Sequence, residues 1–385
     1  MALTAAEVEH FAVNGYLVKE GLLDSAQCQR ARDMVWELND LSRLRRNEPE
    51  SWAQPFSVDE ESPKEVEGKD LDTHLENDRP VMSRKGYGFY MSGLDTQACP
   101  ELLELLPLNA GVKAVAEALL GKGRFITPDE ASAADALAQA HASPGKEVFN
   151  TGHGTRGIYC TLPRVGAAAD TDQPCEAGAR GGPPRGGHWD SIFAAENAPP
   201  NCLMASAYIN DVPPGGGGLT LWPGSHRRNW HYHSSLFKVG VPHPKERQAP
   251  NGDGINDLAN KIMEDIAPTE CIGSAGTVVF WHVCVLHAAG INRVPNTIRQ
   301  SVIYDFQLTA QARQKLLDEA RSPARAIGDL DTAEEEAASF WAGWQVPATV
   351  LRRHPIPGQP LPPGHPPVLH PRWEQHGSGG SGAKL

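Results

Sequence analysis

Several things are missing from this 385-residue chain, and each absence closes a class of function. There is no C-x-x-C pair. The seven cysteines (28, 99, 160, 175, 202, 271 and 284) are scattered, so neither a zinc knuckle nor a disulfide framework is supported, and reduced thiols in an intracellular protein are expected. No apolar run reaches the roughly 18 residues of a membrane span. No basic stripe is present, and a net charge of −12 with a pI of about 5.7 speaks against nucleic acid and against an anionic membrane surface. The first residues lack the basic and apolar regions of a signal peptide, which points to a cytoplasmic protein. No internal repeat is visible.

The last three residues, Ala383-Lys384-Leu385, are a variant of the peroxisomal S-K-L tripeptide. They follow a Gly/Ser run over 377–382 that has the composition of a flexible linker, so a peroxisomal address holds only if this tail is native.

The chain opens on helical signals. Thr4-Ala5-Ala6-Glu7 is a capping box, Val8, Phe11 and Ala12 share one face, and Gly15 stops the helix. Tyr16-Leu17-Val18 reads as a short strand. Asp24 or Ser25 caps a second helix through about Arg43, with Ala31, Met34, Val35 and Leu38 inward. Residues 46–80 are charged and without period, and predict a loop or lid. Residues 101–120 predict a helix that Pro107 divides in two, with Leu102, Leu103, Leu106, Val115 and Leu119 buried and Gly121 as its stop. An Ala-rich surface helix is expected over 127–145.

From about residue 157 the pattern changes to short β-type runs between Gly/Pro punctuation: 157–162, 189–193, 202–209, 218–222, 277–286 and 299–308. Helices first and strands afterwards predict an α+β chain whose β part is a sandwich or barrel. Residues 165–187 read as a flexible loop that delivers His188. Residues 309–345 read as helical and acidic, and 346–375 as Pro-rich and extended.

Among 15 histidines and 47 acids, about two His-x-acid pairs are expected by chance, and two occur: His74/Glu76 and His188/Asp190. The first falls in the charged loop with no strand beside it. The second stands on an extended segment, where residues two apart point the same way and can bind one metal ion. Two imidazoles and a carboxylate with open positions opposite suit a non-haem Fe(II) centre. His287 is the preferred third ligand. His282, five residues earlier, faces the other way in a regular strand. If the strands on either side of Arg293 pair as a symmetric hairpin, His287 and Arg299 lie opposite each other, and the arginine fork can hold the far carboxylate of a metal-bound diacid. Pro223-Gly224-Ser225-His226 reads as a turn, with His226 structural.

Taken together these segments resemble the phytanoyl-CoA dioxygenase family of Fe(II)- and 2-oxoglutarate-dependent oxygenases. The resemblance runs through Glu7 to Leu23, His188-Trp189-Asp190, Asn210-Asp211-Val212 to Pro223-Gly224-Ser225-His226, and Leu286-His287-Ala288-Ala289-Gly290-Ile291-Asn292 with Arg299.

The resemblance implies a double-stranded β-helix, a cupin-like jelly roll, as the core at about 155–308. A helical part at 1–150 and an extension at 309–375 would complete one oxygenase domain over 1–375, with a flexible tail at 376–385. His188, Asp190 and His287 are implied as catalytic Fe(II) ligands. Arg299 is implied for the C5 carboxylate of 2-oxoglutarate. Tyr159 would be either part of the co-substrate's wall or a core tyrosine, and Ser206 stands where an aromatic often lies. A small-molecule or acyl substrate and O2 would be the partners, with ascorbate as reductant. A carboxylate at Asp190, where related halogenases carry a small residue, argues for hydroxylation. The rival readings are a cupin-like metalloenzyme indifferent to 2-oxoglutarate and a non-catalytic jelly-roll binding protein.

Overall fold

The computed structural model describes residues 3–37, 43–57, 81–92, 100–125, 157–166, 187–189, 201–228, 255–309 and 311–312. Outside them fall His74/Glu76, Leu38, the 127–145 stretch, nearly all of the 165–187 loop, Asp190, and the C-terminal extension with its tail.

In chain order the elements are α1 (Ala5–Asn14), β1 (Tyr16–Lys19), α2 (Ser25–Glu37), a 3-10 turn (Pro49–Trp52), β2 (Val81–Lys85), β3 (Gly88–Ser92), α3 (Pro100–Leu105), α4 (Ala110–Leu120), β4 (Gly157–Thr161), β5 (Asn201–Tyr208), β6 (Leu219–Leu221), α5 (Ile255–Asp265), β7 (Thr269–Glu270), β8 (Val278–His282), β9 (His287–Ala289) and β10 (Arg299–Gln307). Helices and antiparallel sheets together make the chain α+β, as its pattern predicts. No helix among the described residues is long and apolar enough to cross a membrane.

The strands form a seven-stranded sheet, ordered β1-β8-β5-β10-β4-β3-β2, and a three-stranded sheet, ordered β7-β6-β9. The strand period of two sorts the large sheet's residues onto two faces. Ile158, Ala205, Ala207, Val278, Phe280, Val302 and Tyr304 pack with α1 to α4 in one core. Their alternates Met204, Tyr208, Val279, Trp281 and Ile303 share a second core with Leu219 and Leu221 of the small sheet. Two layers of strand with helices on the outer side of the larger one follow directly from that sorting.

Local signals act as the sequence predicts at the helix ends. Thr4 and Glu7 form the reciprocal capping box, and Gly15 is left-handed at φ 79. Asp24 caps α2 through Gln27 N–H at 2.8 Å. Asn109 caps α4 after the break at Pro107. Cys28, Cys160, Cys271 and Cys284 are buried, and none of them is in a disulfide.

Two expectations are corrected. The run 277–286 is not one long strand: β8 ends at His282, a tight turn follows with Val285 N–H bonded to His282 C=O at 2.8 Å, and β9 begins at His287. Nor do the strands flanking Arg293 pair as a hairpin. β9 pairs with β6 in the small sheet, while β10 lies between β5 and β4 in the large one. The segment between them crosses from one layer to the other, because Asn292 is tied down on the way. Its side-chain amide donates to Thr161 C=O at 3.2 Å and Thr297 C=O at 2.6 Å, and its oxygen accepts from Val294 N–H. Strands β2, β3 and β7 and helix α5 are additions to the sequence reading.

Candidate metal centre

His188 and His287 meet at an antiparallel bridge. His188 N–H donates to His287 C=O at 2.9 Å, and His287 N–H donates to His188 C=O at 3.0 Å. A directly opposed pair carries its side chains on the same face. The two imidazole centroids are 4.6 Å apart. Residues 187–189 therefore extend the small sheet beyond β9.

Both neighbours of His188 are fixed on the outer side. Trp189 packs against the cluster of Trp222, Ala259, Ile262, Met263, Leu286 and Ala288. Gly187 comes so close to the same cluster that a Cβ there would meet Met263 Sδ at 2.9 Å. With Trp189 outside, alternation turns His188 inward. It stays exposed while His287 is buried, so the pair opens toward solvent on the His188 side.

Among the described residues the two imidazoles are the potential metal donors here, and no cluster of three or more such groups is found among them. His287 Nδ1 lies 3.0 Å from Val285 C=O. A ring that donates Nδ1–H to a carbonyl presents the lone pair of Nε2, the tautomer a metal ligand needs. Asp190, the expected carboxylate ligand, lies outside the described residues. His282 is out of the set: it sits on the helix side, buried, its Nδ1 accepting from Cys284 N–H at 3.0 Å. His287, not His282, is the histidine that the structure brings beside His188. A break in the strand and a change of sheet separate His282 from His287, not the alternation of one continuous strand.

The end of α1 and the Pro223-Gly224-Ser225-His226 turn brace this histidine from behind. Gly224 N–H donates to Asn14 C=O, and His282 N–H donates to Gly15 C=O. His226, fully buried, lies 3.2 Å from Ala12 C=O through Nε2. Burial holds the His226 ring well below its ordinary pKa, with the nearby His282 and Arg227 adding to the effect. Ser225 Oγ accepts from Leu286 N–H.

Arg299 faces the same interior from the large sheet, alternating with the residues of the helix-side core. It is 5% exposed. Its Nε donates to Gly217 C=O at 2.9 Å and its Nη1 to Ser301 Oγ at 2.7 Å. A guanidinium inside a sandwich is stabilised by an anion brought to it, and its fork suits a carboxylate. Arg299 and His287 thus face each other across the two layers rather than side by side on one.

Tyr159 is opposite Ser301 in the β4–β10 register, half-buried, on the face away from the Ile158 and Cys160 core. Its carbonyl lies 3.5 Å from Arg299 Nη1. Ser206 is inner-facing, opposite Ile303 and Val279.

Three contributors are absent from the sequence reading. Trp281 puts its ring 5.4 Å from His287, and strand alternation from the helix-side Phe280 would have placed it inward. Ser301 is two residues after Arg299 and shares its face for the same reason. Glu270 holds the glycine turn that Arg299 touches, and no local signal marks it.

No curated protein matches the chain. Similar solved structures include AviO1 from Streptomyces viridochromogenes Tue57 (15% identity over 80% of this chain and 97% of that one, TM-score 0.35). They also include the non-haem alpha ketoglutarate dependent carbocyclase SnoK from nogalamycin biosynthesis (15%, 79% and 84%, TM-score 0.39). EctD from S. alaskensis, solved with 2-oxoglutarate and 5-hydroxyectoine, is a third (15%, 79% and 76%, TM-score 0.38). All three scores are below 0.5, so the comparison that bears on function is with a family. Residues 177–301, which hold His188, His287 and Arg299, match the phytanoyl-CoA dioxygenase (PhyH) family, the one the sequence resembles.

Proposed function

We propose that this chain is an Fe(II)- and 2-oxoglutarate-dependent oxygenase that hydroxylates an unactivated C–H bond of a small-molecule or acyl substrate. The observation that carries the reading is the bridge between His188 and His287, residues 99 apart in the chain, with their rings turned to one side. The two sheets would be the halves of a double-stranded β-helix within a single domain over 1–375.

His188, Asp190 and His287 would hold the iron, and Arg299 would receive the C5 carboxylate of 2-oxoglutarate, with Tyr159 on the adjoining wall. When bound, iron and 2-oxoglutarate supply the oxidising chemistry, with dioxygen consumed and succinate and CO2 released. The chain's part is position and exclusion of water. Ser301 and Gly217 aim the guanidinium. Trp281, Met204, Val279 and Leu221 line the interior with apolar surface, where charge interactions are stronger than in water. The Val285 carbonyl fixes the His287 tautomer.

Succinate release from 2-oxoglutarate, with Fe(II), ascorbate and a substrate panel, tests the reading. His188→Ala and Asp190→Ala should each abolish it. Full turnover in the Asp190 variant, or turnover indifferent to 2-oxoglutarate, would refute it.

A further inference from the structure

Between Glu270 and Arg299 lies one peptide group. The Glu270 carboxylate accepts three backbone hydrogen bonds from the glycine turn before β6: Gly215 N–H on Oε2 at 2.8 Å, and Gly217 and Gly218 N–H on Oε1 at 2.9 and 3.0 Å. The Gly218 N–H and the Gly217 C=O belong to the same planar peptide unit. That carbonyl is the acceptor for Arg299 Nε at 2.9 Å. Anion, peptide and guanidinium therefore stand in series, each hydrogen bond polarising the next.

The turn is built to allow this. Gly217 sits at φ 79, a left-handed conformation that glycine tolerates, and a Cβ there would meet Asn292 N at 2.9 Å. Arg293 N–H donates to Gly215 C=O at 2.6 Å, so the turn is also tied to the segment that leads into β10.

We infer that Glu270 is a positioning residue for the co-substrate arginine. Its charge orients the Gly217–Gly218 peptide so that the carbonyl holds Arg299 Nε in plane, and supports the guanidinium from behind without entering the site. The role rests on the proposed use of Arg299 for the C5 carboxylate of 2-oxoglutarate. Its effect falls on the distal carboxylate alone, not on the keto acid end that the metal would hold.

Glu270→Gln keeps the shape but removes the charge and turns one acceptor into an N–H₂ facing Gly215 N–H. Binding is measured by titration calorimetry with Fe(II) under argon, for 2-oxoglutarate and for 2-oxobutyrate, which has the keto acid but no distal carboxylate. In the variant, 2-oxoglutarate should bind about 10- to 100-fold more weakly, as for other residues that act through a ligand-holding neighbour. 2-Oxobutyrate should be unaffected. In an Arg299→Lys background the substitution should add little further loss for 2-oxoglutarate. Should the Gln variant not fold, Glu270→Asp, which draws the charge back by one methylene, should give an intermediate loss confined to 2-oxoglutarate. Equal loss for both ligands would mean a structural role only, and unchanged 2-oxoglutarate affinity would overturn the inference outright. Wild-type protein that binds 2-oxoglutarate no better than 2-oxobutyrate would instead overturn the assignment of Arg299.

Discussion

Ser225 Oγ accepts a hydrogen bond from Leu286 N–H at 2.9 Å, one residue before His287. The hydroxyl is fully buried, in a turn whose sequence suggests nothing beyond a change of direction. Ser225→Ala leaves the Leu286 N–H buried without that acceptor, a loss of about 1–3 kcal/mol of stability. Because β9 begins immediately after, metal affinity should fall together with stability. Urea unfolding alongside Fe(II) or Mn(II) titration checks both, and a loss of stability with unchanged metal affinity would separate Ser225 from the site.

Arg299→Lys keeps a positive charge but loses the planar fork and the Nε–H to Gly217. Its main effect should be a rise of about tenfold or more in the KM for 2-oxoglutarate, with a smaller change in kcat. Arg299→Ala should raise the requirement further. Steady-state succinate release over a range of 2-oxoglutarate reads this directly. A drop in kcat at unaltered KM would remove Arg299 from co-substrate binding.

Acid should unfold the protein from a definite place. His226 and His282, with ring centroids 5.6 Å apart, are both held neutral by burial, His282 with its pKa pushed down to about 3. In the unfolded chain both titrate near 6.5. Below that pH the unfolded state binds more protons than the folded one, so stability is full above about 6.5 and declines toward 3. At pH 5 the loss from His282 is about 2 kcal/mol by this linkage, and His226 adds to it in the same direction. Denaturant midpoints at pH 7.5 and pH 5.0 measure it, and His226→Gln should reduce the difference while the His282 contribution remains. Equal midpoints would show that these rings carry no such penalty.

Gly15→Ala tests the brace behind the turn between β8 and β9. The residue is left-handed at φ 79, and a Cβ there would lie 2.5 Å from both His226 Nδ1 and Val285 Cγ2. The backbone strain alone costs about 1–2 kcal/mol, and the collision adds to it. A clear drop in Tm is expected, whereas Gly21→Ala, also at positive φ but with open space around it, should bear only the strain. Similar Tm values for the two variants would mean that His226 and Val285 yield freely.

How far the sequence could be read depended on the range of the interaction. The α1 capping box, the Gly15 stop and the α3–α4 break at Pro107 are set within a few residues, and they lie where the pattern puts them. The alternation that turns Arg299 and Tyr159 inward is local too. Pairing is not local: the hairpin expected around Arg293 is replaced by a crossing between layers, because Asn292 is fixed by Thr161, 131 residues earlier. Likewise the chain leaves β8 at His282, where Gly15 receives that residue's amide. Nothing within the run 277–286 announces the break. Glu270 could not have been found at all, since its partners are glycine amides more than 50 residues away.

The ties from Asn14, Gly15 and Ala12 to residues 224–282 also bear on the order of assembly. The carbonyls at the end of α1 are separated by more than 260 residues of chain from the β8 amide they meet. Closing so large a loop is slow, so the histidine pair should be among the last parts to form during refolding. Metal added to a refolding chain would then be captured late, with the final kinetic phase rather than with early collapse.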